Sequence, residues 1–354
     1  MRQIMHFDKI RTMILGMGGI SRTMLRALES KEWHELVAVV DVNEDALQRA
    51  ATDYSLPAAA LFTDLGSACR DSSANVVLIN TPSELHYAQT KTALEAGLTP
   101  LVAKPLANRY AQSRDLANLA FEKRIKLCVG QQMRYRRHYL SVAEFVASGA
   151  LGKVEQIYFL SAKPRHQARN LKGFLQPVLY EMTCHHLDTL FAILPDLAPE
   201  AVICDGFVPS WSPYDSDCMI NGLLRFRGGV HMLYHAGYST QSSCYELRLE
   251  GTRGALRCRG IHMSNDTMEY EFAERGAAFR PIDLDRGRSS TDPWSHFFDL
   301  WYDYLNGGEE PPFSGHNNLK ILSVIDAAIE SLERKAFVEI PNSPTCQSLA
   351  ESLS

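Results

Sequence analysis

Two places in this chain put ionisable side chains where they could move a proton. The first is Lys104, which stands between the apolar run of 101–103 and Pro105. Proline cannot join a strand ladder, so it fixes the direction in which the chain leaves the run. Such a lysine either points into a crevice, where its charge polarises a substrate oxygen, or lies solvated on the rim. The second place is the stretch Tyr180-Glu181-Met182-Thr183-Cys184-His185-His186-Leu187-Asp188. Helical spacing puts Glu181, His185 and Asp188 on one face, at i, i+4 and i+7, while Leu187, Leu190, Phe191 and Leu194 cover another. A carboxylate one turn from an imidazole fixes its tautomer and raises its basicity, which prepares a general base. The plainer alternative is a satisfied histidine at a domain interface. His185 and His186 point about 100° apart on a helix, so one ion does not readily reach both, and no metal is expected. His86, Arg165 and His166 are weaker candidates for chemistry, and His231 and His235, alternating along a strand, suit a surface or a subunit contact.

Groups like these need a scaffold, and the chain begins with one. The apolar run of 10–15 is broken by Gly16-Met17-Gly18-Gly19-Ile20-Ser21 and resumes with helical spacing at 23–28. Strand, tight turn and helix in that order make a dinucleotide-binding unit. Gly16 permits the turn, Gly18 lets the backbone approach a pyrophosphate, and the N–H groups at the helix start, around Gly19 and Ile20, face the anion. Asp41 ends the next apolar run, twenty residues after Ser21, where a carboxylate binds the two hydroxyls of an adenosine ribose.

From 10 to 130 such runs alternate with helical stretches at 44–54, 83–96 and 110–123, with a short run near Leu61 and strands at 76–79, 101–102 and 125–129. Alternation of this kind predicts a parallel sheet covered on both faces, with ligands beyond the C-terminal ends of its strands. That geometry selects 16–20, Asp41, Asn80-Thr81-Pro82, Ala103-Lys104-Pro105 and Gly130-Gln131-Gln132. Beyond 130 the pattern changes. A helix over 139–148, a strand over 154–160, a polar loop over 163–172 and a helix over 178–194 lead into strands at 201–208, 219–226, 230–236, 245–250, 255–259 and 268–272. Turns at 227–229 and 251–254 suit antiparallel neighbours, so an open sheet is expected. Two helices, 294–305 and 317–335, close the chain, and a loop at 287–290 precedes them. The expected fold class is α/β in two domains, a dinucleotide-binding domain over 1–130 and a second domain over 131–354.

With 354 residues the chain is long enough for two cores, and 45% hydrophobic with 22% charged residues is ordinary globular composition. A net charge of −5 gives no electrostatic reason for nucleic acid or an anionic membrane as partner. No stretch approaches the roughly 18 uninterrupted apolar residues of a membrane span, and a cytoplasmic location is expected. The eight cysteines are scattered with no CxxC pair, which suggests reduced, structural thiols.

In this order the motifs resemble the glucose-fructose oxidoreductase, inositol dehydrogenase and MocA family. The likeness rests on the Gly-rich unit, on Asn80-Thr81-Pro82 with His86 and the helix ending at Gly97, on Val102-Ala103-Lys104-Pro105-Leu106, and on 181–188. The turn Gly251-Thr252-Arg253-Gly254 and the segment from Pro312 to Ser331 extend it. The resemblance implies an N-terminal Rossmann doubly wound parallel sheet and a C-terminal α+β domain on an open, mainly antiparallel sheet. It also implies NAD or a related nicotinamide cofactor, and a sheet face that joins subunits into homodimers or homotetramers. Lys104 falls on the family's motif lysine, His185 on its catalytic histidine, and Glu181 on the aspartate one turn earlier. Asn80, Thr81, Pro82, His86 and Gln132 fall on its cofactor-side positions. Ala103 replaces the usual glutamate before the lysine, Ser21 the third small residue of the loop, and Thr183 a frequent glycine.

The activity implied is a dehydrogenase acting on a secondary alcohol of a sugar, cyclitol or related polyol. An unperturbed lysine (about 10.4) is almost wholly protonated at neutral pH, while an imidazole (about 6.5) is largely free. His185 is therefore read as the base, Glu181 as its orienting partner and Lys104 as the polarising cation, roles that a depressed lysine pKa would reverse. Asp41 repels a 2′-phosphate and Val42-Asn43 offers no arginine to hold one, so NAD is expected over NADP. One rival is transient oxidation followed by elimination and return of the hydride, with Tyr180 as the extra acid or base. Another is a non-enzymatic NAD-binding sensor, which the presence of both Lys104 and His185 argues against. Arg165, His166, Arg169 and Lys172 of the polar loop either receive a carboxylated or phosphorylated sugar or form a solvated rim.

Overall fold

In a computed structural model, residues 7–168, 176–264, 268–285 and 292–341 are described. Arg169, Lys172 and the loop at 287–290 lie outside the described residues. The chain divides into two units, the first containing 7–132 and 292–319 and the second 133–285 and 320–341.

The first unit follows the alternation. Its elements in order are β1 (Ile10–Leu15), α1 (Gly19–Leu28), β2 (His34–Val40), α2 (Glu44–Asp53), β3 (Leu61–Phe62), α3 (Leu65–Asp71), β4 (Val76–Ile79), α4 (Ser83–Glu95), β5 (Thr99–Ala103), α5 (Tyr110–Lys123) and β6 (Cys128–Gly130). All six strands pair in parallel, in the order β3-β2-β1-β4-β5-β6. The chain runs outward from β1 to β3 and returns to β4 on the other side of β1, so the strand order reverses there. Val76, Val77, Leu78 and Ile79 of β4 are each fully buried, as an apolar run covered on both faces requires. Short polar residues start the helices. Asn43 accepts from the N–H groups of Asp45 and Ala46 at α2, and Asp64 from that of Ser67 at α3. The helix α3 was not legible in the sequence, since Leu-Gly-Ser-Ala-Cys-Arg-Asp lacks an apolar stripe; only Ala68 of it is buried.

The second unit contains α6 (Arg137–Ala147), β7 (Val154–Ala162), a π-helical turn (Leu179–Thr183) continued by α7 (Cys184–Ile193), then β8 (Pro199–Phe207), β9 (Met219–Phe226), β10 (Val230–Gly237), β11 (Cys244–Gly251), β12 (Gly254–Gly260), β13 (Glu269–Glu274) and β14 (Arg280–Ile282). After α8 (Pro293–Leu305) and α9 (Gly315–Arg334), β15 (Val338–Glu339) completes its sheet. The nine strands run β14-β13-β12-β11-β7-β10-β9-β8-β15, with β7 and β10 the one parallel pair among the described strands of this sheet. The short outer strands β14 and β15 carry too few residues to show a period, and the sequence does not announce them.

The aromatics of α8, spaced for one helical face, pack within the first unit. Trp294, Phe297, Phe298 and Trp301 are buried, Phe297 lies 4.1 Å from Phe313 between ring centroids, and Trp33 stacks on Tyr302 at 4.5 Å. A Cβ on Gly130 would come within 3.1 Å of the Trp294 ring. The bare backbone at the end of β6 is what lets that ring close down.

Candidate functional site

The loop after β1 is built around its glycines. Gly16 has φ +89°, and a Cβ there would stand 3.0 Å from the carbonyl oxygen of Asn80. The left-handed backbone and the close approach both require glycine. Gly18 and Gly19 face open space, with no atom within 4 Å of the position a Cβ would take. Gly18 caps α1 without a side-chain hydrogen bond, so the N–H groups at the helix start are left for an anion. Ser21 stands in the third small position. Its hydroxyl, fully buried, donates to the Gly16 carbonyl at 2.5 Å and accepts from Asn80 Nδ2 at 2.9 Å. The replacement thus ties the loop to the end of β4 and leaves the open side untouched.

Asp41, half-buried, closes the loop from β2. Its Oδ2 accepts the Met17 N–H at 2.7 Å and its Oδ1 the Asn43 N–H at 2.9 Å. Each carboxylate oxygen has a second lone pair, so two hydroxyls can still be accepted. Asn80 Oδ1 is buried without a partner among the described residues, an acceptor available to a donor such as a ribose hydroxyl. The residues present therefore fit a dinucleotide.

At the ends of β4 and β5 lie Thr81, Pro82 and Lys104. Thr81 donates to Gln89 Oε1 at 2.5 Å, and Pro82 is exposed at the start of α4. Lys104 is half-buried and joined to Pro105 by a cis peptide bond. His86 is 1% exposed, its ring between the carbonyls of Thr81 and Pro105. Gln132 is half-buried two residues beyond β6.

In the second unit, the stretch read as one helix begins as a π-helical turn, Leu179–Thr183. The Thr183 hydroxyl donates to the carbonyl of Val178, five residues back, at 3.2 Å, and is 2.7 Å from the Tyr234 hydroxyl, which lies 2.8 Å from His186 Nδ1. Strand β10 thus holds the widened turn, a feature that recurs at functional sites. His185 is half-buried just after it.

Two of the three ionisable groups each meet an arginine. Glu181 is bound by Arg165, whose Nη1 and Nη2 donate to its two oxygens at 2.7 and 2.6 Å. Asp188, fully buried, is held by Arg134 through Nε at 3.0 Å and Nη2 at 2.7 Å.

Arg165 also lies 3.7 Å over the ring centroid of Tyr238 and donates to the Tyr214 hydroxyl at 3.3 Å. Burial opposes its charge, but the Glu181 hydrogen bonds and the neighbouring phenols outweigh it and hold its pKa above the ordinary guanidinium value. On Tyr238 burial, followed by the charge of Glu181, pushes the phenol well above its usual range. Arg165 was visible in the polar loop, whereas Tyr214, Tyr238, Tyr234 and Arg134 lay too far off in sequence to signal any contact. Of the two strand histidines, His231 is exposed and His235 meets Asn221 Oδ1 at 2.7 Å. Among the described residues, no three His, Cys, Asp or Glu side chains group as metal ligands.

Residues 10–131 match the family model described as an oxidoreductase family with NAD-binding Rossmann fold, and residues 139–257 match the GFO/IDH/MocA C-terminal domain. The chain belongs to the GFO/IDH/MocA oxidoreductase family. The six-stranded sheet is the NAD-binding Rossmann domain of this GFO/IDH/MocA oxidoreductase, an NAD-dependent dehydrogenase. Inositol 2-dehydrogenase of Rhizobium meliloti is 23% identical over 94% of this chain and 99% of its own length. The crystal structure of aldose-aldose oxidoreductase from Caulobacter crescentus, complexed with glycerol, matches with a TM-score of 0.82 at 21% identity, over 94% of this chain and 99% of that one. An inositol dehydrogenase homolog from Azotobacter vinelandii, complexed with NADH and myo-inositol, matches at 0.78 and 17% over 94% and 98%. These likenesses extend the shared fold over nearly the whole GFO/IDH/MocA chain. No described helix is long and apolar enough to cross a membrane.

Proposed function

We propose that this oxidoreductase transfers a hydride between NAD and a secondary alcohol of a sugar, cyclitol or related polyol. The observation that carries the cofactor choice is Asp41, held beside the glycine loop by the N–H groups of Met17 and Asn43. A carboxylate there accepts a ribose diol and repels a 2′-phosphate. The next residue, Val42, is 90% exposed and offers no positive charge. The polyol class is supported by the inositol and aldose relatives.

Bound NAD supplies the hydride acceptor. In the proposed reaction the carbinol C–H leaves as hydride, the O–H proton goes to the His185 imidazole, and the carbonyl C=O forms. Lys104 stabilises the negative charge that grows on the oxygen, and Glu181, pinned by Arg165, keeps a carboxylate one turn from His185. The proposed homodimer or homotetramer forms on the uncovered face of the nine-stranded sheet, where a groove of about 810 Å³ is lined by Tyr158, Leu223, Leu233, His235 and Arg248, with Leu233 48% exposed. The proposed location is the cytoplasm.

The test is a panel of cyclitols, aldoses and sugar acids offered with NAD, followed by NADH absorbance. Lys104→Ala and His185→Ala should each lower turnover by about 100-fold or more while NAD affinity changes little. Unaltered turnover in both variants ends the assignment, and product formed without NADH transfers the reading to oxidation followed by elimination.

A further inference from the structure

Among the described residues, the two ring nitrogens of His86 meet two acceptors. Its Nδ1 is 2.7 Å from the Pro105 carbonyl oxygen and its Nε2 is 2.9 Å from that of Thr81, and the side chain is 1% exposed. A carbonyl oxygen only accepts, and a neutral imidazole has one N–H. In either neutral tautomer one of these contacts sets a nitrogen lone pair against an oxygen lone pair at hydrogen-bond distance. Turning the ring over does not help, because it exchanges both nitrogens for carbons. Only the imidazolium, with two N–H groups, satisfies both carbonyls.

The two carbonyls belong to different loops. Thr81 follows Asn80 beyond β4, and Pro105 follows Lys104 beyond β5. One ring on α4 therefore joins the segment on the cofactor side to the segment that carries the lysine. We propose that His86 is a positioning residue, doubly protonated when both contacts are made, which fixes the Lys104 backbone against the end of β4 and releases one loop when it loses a proton. The inference rests on the assignment of Lys104 as the polarising cation.

Burial works against the charged ring, the two carbonyls and Glu84 on α4 work for it, and Lys104 beyond β5 works against it; the net direction is downward from the ordinary imidazole value. Protonation therefore completes the clamp on the acid side, and rising pH loosens it. That sign is opposite to the one expected of a general base, which gains activity as it loses its proton.

Neutron diffraction from crystals of the deuterated holoenzyme, grown at mildly acidic and at alkaline pH, reads the protons directly. Deuterons on both Nδ1 and Nε2 wherever both contacts persist are the expected result; both contacts held by a ring with one deuteron would overturn the proposal. In kinetics, His86→Gln presents its N–H groups from a single nitrogen, which reaches only one of the two carbonyls, and should lose about 10- to 100-fold in kcat, the scale of a misplaced catalytic group. The wild type should show a component of kcat that falls as pH rises and that His86→Gln lacks. If Lys104→Ala abolishes turnover while His86→Gln keeps kcat and its pH profile, the positioning role is refuted and the lysine assignment survives. If Lys104→Ala is fully active, the lysine assignment fails while the neutron result still decides the protonation. Should His86→Gln not fold, the neutron measurement on the wild type remains decisive.

Discussion

Replacing Arg134 by methionine tests how the helix that carries His185 is held. Arg134 is 9% exposed and Asp188 is 0% exposed. Three contacts join them, Nε and Nη2 to Oδ1 at 3.0 and 2.7 Å and Nη2 to the Asp188 carbonyl at 3.1 Å. Oδ2 has no partner among the described residues, so Arg134 supplies all the side-chain compensation the carboxylate has there. Methionine fills much of the same volume but leaves a carboxylate in the interior, and breaking one side of a buried pair costs about 3–5 kcal/mol. Set against a total stability of about 5–15 kcal/mol, that loss should move the urea unfolding midpoint well outside error.

Burial raises the Asp188 pKa and Arg134 opposes it, so without the arginine burial acts on the carboxyl unopposed. The native carboxyl then titrates above its unfolded value of about 3.9. The deficit of Arg134→Met should be full above the raised native pKa and smallest below the unfolded one. Replacing both partners, with Asp188→Leu added to Arg134→Met, removes both charges and should recover most of the loss. A double-mutant cycle by urea titration at two pH values measures all of this. A cost below about 1 kcal/mol for Arg134→Met, or a double variant no better than the sum of the singles, would refute the reasoning.

Gly16→Ala places a Cβ at φ +89° and 3.0 Å from the Asn80 carbonyl, which should cost about 1–2 kcal/mol in stability and weaken NAD binding; thermal melting with and without NAD checks both. Asp41→Ala removes the acceptor for the Met17 and Asn43 N–H groups and should weaken NAD about 10-fold, or 1.4 kcal/mol, while narrowing its preference over NADP, as read by titration of each cofactor. Burial, with help from Lys9, lowers the His34 pKa to about 4. Because the unfolded value is about 6.5, the unfolded state binds this proton first as pH falls, and stability should drop between about 6.5 and 4. Unfolding midpoints across that range should show a smaller drop in His34→Gln.

The part of this protein that its sequence decides is the part governed by neighbours along the chain. The turn at Gly16 follows from backbone sterics within a few residues, the caps at Asn43 and Asp64 from side chains bonding their own helix, and the first sheet from apolar runs of strand length recurring at regular intervals. Four features escaped this reading because no local period encodes them. The helix α3 buries only Ala68, β14 and β15 are too short to repeat, the π turn looks in sequence like any helix, and 292–319 returns to the first unit after more than a hundred residues of the second. The same limit applies within the site. Glu181, His185 and Asp188 could be picked out by type and spacing, but not that Arg165 would take the first and Arg134 the third. A side chain's type and its helical angle are local quantities, whereas its partner depends on which distant strands the closed chain brings beside it. Only the folded structure supplies that.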